Sequence, residues 1–353
     1  MQADRFHTPN RGATINPEGR FESQSYQDFQ DGWEIPEEKQ KLETIVYTEY
    51  AKSIITRNDS PDVPTEKTLN PYRGCEHGCI YCYARPSHSF LNLSPGLDFE
   101  TKLFAKKNAA ELLDRAFQRK NYICRPISIG SNTDPYQPIE RKWKLTRQLL
   151  EVFLKWQHPV AIITKSSLIS RDLDILSALA KKNLLRVSIT LSSANPDLLR
   201  IMEPRAASFT RRISTLKALT EAGIPTGVMT APIIPNINDS EMEYILNIAS
   251  RAGAVSCGYV LIRLPYELKD IFKDWLQQHF PEKYKKVMSL IKQTRGGKEY
   301  DSDFSQRMTG TGAYAELLLN RFRLARKKYG FEKELKPMST ELFQNDRQPC
   351  LFP

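Results

Sequence analysis

Three cysteines, Cys75, Cys79 and Cys82, stand in a C-x3-C-x2-C run. Soft thiolates this close together converge on one metal centre, whose usual occupant is an iron–sulfur cluster or zinc. A structural zinc site normally wants four ligands in two paired knuckles. A loop of three can instead leave one iron of a [4Fe–4S] cluster without a protein ligand, and chemistry can take place at that open position. Gly74 and Gly78 allow a tight backbone path around such a group, and Arg73 offers charge to offset its own. Cys124 and Cys257 lie apart from the run and read as buried small hydrophobes.

The elements that must position this loop are legible from residue 68 onward. Short β-branched, apolar runs at 68–72, 127–130, 159–164, 185–191, 226–232 and 258–264 are bounded by Gly, Pro, Asn or Ser, as strands are. Helical stripes separate them: Leu145, Leu149, Val152 and Phe153; Leu173, Leu176 and Leu179; and Ile213, Leu216 and Leu219, stopping at Gly223. Ser240 with Glu243 predicts a capping box at the start of a helix over 241–252, with Gly253 just past its end. Six βα units in chain order predict an α/β fold, a partial (βα)6 TIM-like barrel. Chemistry in that fold sits at the C-terminal strand ends, and the cysteine run follows the first strand. The reading divides the chain into a partly irregular extension over 1–64, a core barrel over 65–265, a helical segment over 266–330 and a polar tail over 331–353.

Composition sets the outer limits. The chain has 353 residues, 40% hydrophobic and 26% charged, which suits a globular protein with a sizeable core. No run approaches the ~18 apolar residues of a membrane span. The first residues lack the basic flank and apolar core of a signal peptide, so the expectation is a cytoplasmic protein whose thiols are reduced or metal-bound. The formal net charge is +10, with the first 70 residues net acidic and the rest carrying the basic excess. That excess suits a phosphate-bearing partner such as nucleic acid, or is simply solvated.

The spacing Cys75-x3-Cys79-x2-Cys82, with Tyr81 before the third cysteine and Tyr83 after it, resembles the radical S-adenosylmethionine (radical SAM) superfamily. Within it, Pro71-Tyr72-Arg73-Gly74-Cys75, Asn132-Thr133-Asp134-Pro135-Tyr136, Glu203-Pro204-Arg205-Ala206 and Ala231-Pro232-Ile233-Ile234-Pro235 resemble the spore photoproduct lyase-like group. The similarity covers about 65–330. It implies that Cys75, Cys79 and Cys82 hold a [4Fe–4S] cluster, whose free iron binds S-adenosylmethionine. Reductive cleavage of the sulfonium would then give a 5′-deoxyadenosyl radical, with the protein binding, orienting and excluding water.

The same resemblance implies where the cofactor is held. Tyr81 borders it, the loop with Asn132, Thr133 and Asp134 meets the methionine amino group, and Lys165 pairs its carboxylate; a solvent-facing helix start is the plainer reading of Lys165. Ser188, Thr190 and Ser192 alternate with Val187, Ile189 and Leu191, giving one hydroxylated strand face. Such a face suits the ribose and carboxylate, or ordinary polar packing inside a barrel. Arg205 could fork onto the carboxylate or pair with Glu203. The 231–235 segment would pack against adenine, with Asn238 and Asp239 turning the chain into the next helix.

The group resemblance also implies a DNA lesion or modified nucleobase as substrate, and flavodoxin or ferredoxin as reductant. Extruding a base calls for stacking aromatics, for which Tyr259, Tyr266 and Trp275 are candidates, and the basic helix carrying Arg321, Arg323, Arg326, Lys327 and Lys328 agrees. One departure stands out: the lyase uses a cysteine hydrogen donor early in the second-strand loop, where this chain has Ser131. Gln348, Leu351 and Phe352 match a sliding-clamp docking pattern, against the plainer reading of a frayed terminus. Two other readings are a nucleic-acid-binding protein with a structural or redox-sensing cluster, and a radical SAM enzyme acting on a small molecule or protein.

Overall fold

The structure is a computed structural model that describes residues 10–21, 42–332 and 335–344. Its strands, in chain order, are β1 (Ile45–Glu49), β2 (Ile55–Arg57), β3 (Lys67–Leu69), β4 (Tyr72–Arg73), β5 (Lys102–Lys106), β6 (Ile127–Ile129), β7 (Val160–Thr164), β8 (Leu185–Thr190), β9 (Thr226–Ile233) and β10 (Ser256–Leu261). β3, β6, β7, β8, β9 and β10 lie side by side in that order, all parallel, with a helix after each of β6 to β9. This is the partial barrel that six βα repeats predict. It stays open because β2 pairs antiparallel along the free edge of β3, the place a closing strand would take. A small second sheet, β1-β5-β4, stands beside it and holds the start of the cysteine loop.

Alternation explains the packing. Val187, Ile189 and Leu191 are buried with Leu176, Leu179, Leu216 and Leu219 from the covering helices, in the core between sheet and helices. Ser188, Thr190 and Ser192 therefore project from the other side of the same chain segment, towards the barrel interior. A second core joins the cysteine loop to the C-terminal helices: Ile80 and Tyr81 pack with Leu268, Phe272 and Trp275 of helix Leu268–His279. Ile80, with no exposed surface, also ties its backbone N–H to the Met202 carbonyl at 3.0 Å.

Several local expectations are corrected. The 68–72 run is not one strand: Pro71 cannot donate to a ladder, so the chain leaves the barrel after Leu69 and re-pairs at Tyr72–Arg73 with β5. The capping box over Ser240 and Glu243 does not form. Helix Met242–Arg251 follows a turn of 3-10 helix at Asp239–Glu241, no side chain caps it, and Glu243 is held instead by Arg321 at 2.7 Å. Trp275 and Tyr259 are core rather than stacking surfaces: Trp275 donates to the Ile201 carbonyl at 3.1 Å, and Tyr259 packs on Phe322. Tyr266 is exposed, with the Arg20 guanidinium 3.6 Å from its ring centre. Gln348, Leu351 and Phe352 lie outside the described residues.

Candidate functional site

The cysteine loop runs from the C-terminal end of β3 across the mouth of the barrel. Gly74 and Gly78 take φ of +71° and +67°, a left-handed backbone that side-chain-bearing residues disfavour. The loop is shaped by a residue that the sequence reading passed over. Arg85, fully buried, donates to the carbonyls of Gly78, Cys79, Pro95 and Gly96 and pairs with buried Glu100 at 2.5 Å. Glu100 in turn accepts from the backbone N–H groups of Gly12 and Ala13 at 3.0 and 2.8 Å. A Cβ on Gly12 would overlap the Gly78 carbonyl, so that strand of chain lies directly against the loop.

Cys75, Cys79 and Cys82 are all free thiols. Burial drives the Cys75 thiol far above its ordinary range, with Asp134 and the sulfurs of Cys79 and Cys82 adding to the rise, while the Asp134 N–H, which donates to it, works the other way. Burial likewise pushes Cys79 up to about 12, against the opposing pull of Lys165. Such thiols are poor free nucleophiles, and binding a metal is what removes their protons. Around a single zinc, sulfurs at ~2.3 Å from the metal would have to converge tightly. Among the described residues no group of three or more His, Cys, Asp or Glu is gathered closely enough to hold one ion. Three disulfide-free sulfurs close enough for Cys79 and Cys82 to raise the Cys75 thiol suit a shared metal centre, and a multi-iron cluster would let each sulfur take a different iron.

The loops after the next three strands complete the site. Asp134 is a tie rather than a free carboxylate. It accepts from Thr164 Oγ1 at 2.7 Å, the Lys165 N–H at 2.9 Å and the Tyr136 N–H at 2.9 Å, and lies 3.4 Å from His77 Nδ1. Burial opposes its charge, but His77 and Lys165 outweigh that and hold it below the ordinary carboxylate range. Thr133 is buried and donates to the Tyr72 carbonyl at 3.2 Å, while Asn70 Oδ1 holds the backbone N–H groups of Asn132 and Thr133. The Asn132 side chain is half-buried with no hydrogen bond to another described residue. Lys165 is half-buried, its Nζ 5.9 Å from the Tyr81 ring centre and without a carboxylate in ion-pair range among the described residues. Burial disfavours its charge, yet Cys79, Glu203 and Asp134 hold it protonated above the ordinary lysine range.

Beneath these lies a buried network that sequence spacing did not reveal. Glu203 receives Tyr81 Oη, Ser192 Oγ at 2.5 Å and the Arg212 guanidinium, and Arg212 also donates to the Thr190 carbonyl at 3.1 Å. Burial alone would raise Glu203, but Arg212 and then Lys165 bring it down to about 2. The hydroxyls of Tyr81 and Ser192 are thus committed to Glu203. Thr190 is buried, and Ser188 sits deeper, level with Gly227 and Ser256. Arg205 does not pair with Glu203, because Glu203 is turned inward to Arg212; Arg205 pairs with Glu76 at 2.7 Å on the outer side of the cysteine loop. Asn238 does more than turn the chain: fully enclosed, it bonds Ile234 N, Ser192 O and Pro232 O, locking the 231–235 wall to β8.

On the other side of the loop, Tyr83 is 44% exposed and donates to the Ser131 carbonyl. Arg263, just after β10, lies 4.8 Å from its ring centre. Residues 69–249 match the signature of the radical SAM superfamily. The chain belongs to the radical SAM superfamily. Its cofactors are accordingly a [4Fe–4S] cluster and S-adenosylmethionine. Among relatives of this radical SAM protein, an uncharacterized Mycobacterium tuberculosis protein is 31% identical over 232 residues, 65% of this chain and 68% of the relative. An uncharacterized Methanocaldococcus jannaschii protein is 32% identical over 216 residues, 61% and 77% of the two chains. A radical SAM Nalpha-GlyT isomerase from a Pseudomonas phage is 25% identical, over 64% of this chain and 46% of that protein. Spore photoproduct lyase complexed with dinucleoside spore photoproduct superposes with a TM-score of 0.52 at 15% identity, covering 80% and 79% of the two chains, which shows a shared fold. No described helix is long and apolar enough to cross a membrane.

Proposed function

We propose that this radical SAM enzyme takes hydrogen from a nucleobase, a lesion or a modified base, presented in a DNA strand. The observation that carries the reading is the pair of Tyr83 and Arg263 at the open seam of the barrel, directly beside the third cysteine. Tyr83 offers an accessible aromatic face next to the reacting centre. Arg263 offers a guanidinium whose side-chain hydrogen bond, among the described residues, goes to Met308 Sδ at 3.7 Å; its Nε is buried without a partner, and no carboxylate lies in ion-pair range among the described residues. A half-exposed ring with a guanidinium over it, and no carboxylate in ion-pair range of that guanidinium, suits a base and its phosphate. The basic net charge and the fold shared with an enzyme solved with a dinucleoside photoproduct support the same reading.

When bound, the cluster and S-adenosylmethionine supply a one-electron cleavage that makes a carbon radical able to abstract hydrogen. Cys75, Cys79 and Cys82 would hold the metal centre, Lys165 would meet the methionine carboxylate, and Asn132 would meet the ammonium. Asp134 braces the Lys165 backbone, and the Glu203 network fixes the floor on which Tyr81 rests. Cys124 precedes β6 and Cys257 lies near the start of β10, so neither stands at the C-terminal strand ends where the mouth lies. Ser131 holds the corresponding loop position.

The test is anaerobic incubation of the reconstituted protein with reductant, S-adenosylmethionine and perdeuterated oligonucleotides carrying ultraviolet lesions or modified thymines. Deuterium in the 5′-deoxyadenosine product is expected. Stacking is worth ~1–3 kcal/mol per base, so Tyr83→Ala should weaken oligonucleotide binding about 5- to 150-fold with iron content unchanged. Undeuterated product from every oligonucleotide, together with no saturable binding, refutes the reading.

A further inference from the structure

A second concavity, of about 130 Å³, lies on the same end of the barrel but behind the cysteine loop. Its polar lining is His77 from that loop, Arg141 from the turn after β6, Ser166 and Ser167 after β7, and Arg205 and Arg211 after β8. No carboxylate lines it. Arg147, Arg171, Arg307 and Arg321, elsewhere in the described chain, each hold a carboxylate within 3 Å. Of the pocket's arginines only Arg205 has a counter-charge, Glu76 at 2.7 Å, while His77 lies 3.4 Å from Asp134. Arg141 and Arg211 have none among the described residues. Three guanidiniums bordering one pocket bring like charges to it, which an anion would offset, and their forked donors fit the oxygens of a phosphate group. Two serine hydroxyls add neutral donors, and the volume is several times the ~30 Å³ share of one water, enough for a tetrahedral oxyanion.

We infer that this pocket is a phosphate subsite, and that it seats a backbone phosphate of the strand whose base enters at Tyr83. The second part rests on the reading of the mouth given above. Every lining residue follows the C-terminal end of a barrel strand, the end at which Tyr83 and Arg263 stand. A strand held at the mouth and in the pocket would span the cysteine loop. Phosphate contacts of this kind set the register of a strand without reading its sequence.

The experiment uses reconstituted holoprotein and fluorescence anisotropy of a single-stranded DNA oligonucleotide over a salt series. Because Arg141 and Arg211 are exposed, Arg141→Ala/Arg211→Ala should fold normally. It is expected to bind about tenfold or more weakly, with the slope of log K against log salt reduced by about 0.7 for the one phosphate lost. Arg141→Lys/Arg211→Lys keeps the charge but loses the forks, so it should restore the slope and only part of the affinity. In a parallel arm, inorganic phosphate at matched ionic strength should raise the melting temperature of the wild type and not of the alanine variant.

A phosphate effect that the variant loses, with oligonucleotide affinity and slope unchanged, assigns the pocket to free phosphate and overturns the strand assignment. Unchanged oligonucleotide binding with slowed cluster reduction by flavodoxin overturns the inference in favour of an acidic protein partner. A wild type that binds no oligonucleotide refutes the reading of the mouth, and the phosphate arm then decides the pocket on its own.

Discussion

Replacing Arg85 tests whether the cysteine loop is held by one buried cation. Arg85→Met keeps the apolar stem but removes donors to four carbonyls and strips Glu100 of its counter-charge in a site with no solvent exposure. Breaking a buried pair by removing one partner costs about 3–5 kcal/mol, mostly from the charge left behind. Glu100→Gln leaves Arg85 unpaired but keeps an acceptor for Gly12 or Ala13, so its cost should be similar. The double variant removes both charges and should be less destabilised than the sum, by about 1–3 kcal/mol of coupling. Urea unfolding of the four proteins gives the cycle, and iron per chain after anaerobic reconstitution reports the loop. The single variants should lose most of their iron. Full iron loading in Arg85→Met, with stability within about 0.5 kcal/mol of wild type, refutes the claim that these carbonyls are gathered by the guanidinium.

Alanine at any one of Cys75, Cys79 or Cys82 should abolish the brown absorbance of the reconstituted protein, whereas Cys124→Ser and Cys257→Ser should leave it; iron and visible spectra decide. His158 and His88, both fully buried, are held by desolvation down to about 3 and about 4. Their folded values lie below the unfolded value near 6.5, so the unfolded chain takes up protons first, and their contribution is whole above pH 6.5 and lost as pH falls below it. Each costs about 2 kcal/mol between pH 6.5 and 5, so a urea midpoint flat over that interval refutes the assignment. Gly12→Ala should destabilise by roughly 1–3 kcal/mol through overlap with the Gly78 carbonyl and should speed iron loss to a chelator; unchanged chelation kinetics count against it.

How much of this could be read from residues alone follows from what leaves a periodic trace. Val160–Thr164 is a continuous apolar run ending in one hydroxyl, and Leu185–Thr190 alternates apolar with polar residues, as strands covered by helices on one side and filling a barrel on the other do, so both could be placed. The cysteine spacing pointed to the superfamily whose signature residues 69–249 match. Arg85–Glu100 and Glu203–Arg212 left no trace, because a buried ion pair needs only spatial meeting, and the intervals of 15 and 9 residues have no helical or strand meaning. Proximity in sequence also misled: Glu203 and Arg205 are near neighbours, but the end of helix Pro196–Met202 turns one inward and the other outward. A clue was available for Arg85, three residues beyond the last cysteine: a cation in so apolar a stretch has to find oxygen. Of the basic C-terminal helix, Arg321 is held by Glu243 and Arg326 donates to the Phe331 carbonyl, while Arg323, Lys327 and Lys328 stay exposed.

The amides of Gly12 and Ala13 meet Glu100 across 88 and 87 residues of chain. Those donors leave the ribosome long before their acceptor does, so the seam over Gly78 is closed only after the polypeptide has doubled back on itself. The last backbone wall against the cysteine loop is thereby supplied by a stretch of chain made more than sixty residues before it, and the loop reaches its full enclosure only when that stretch returns.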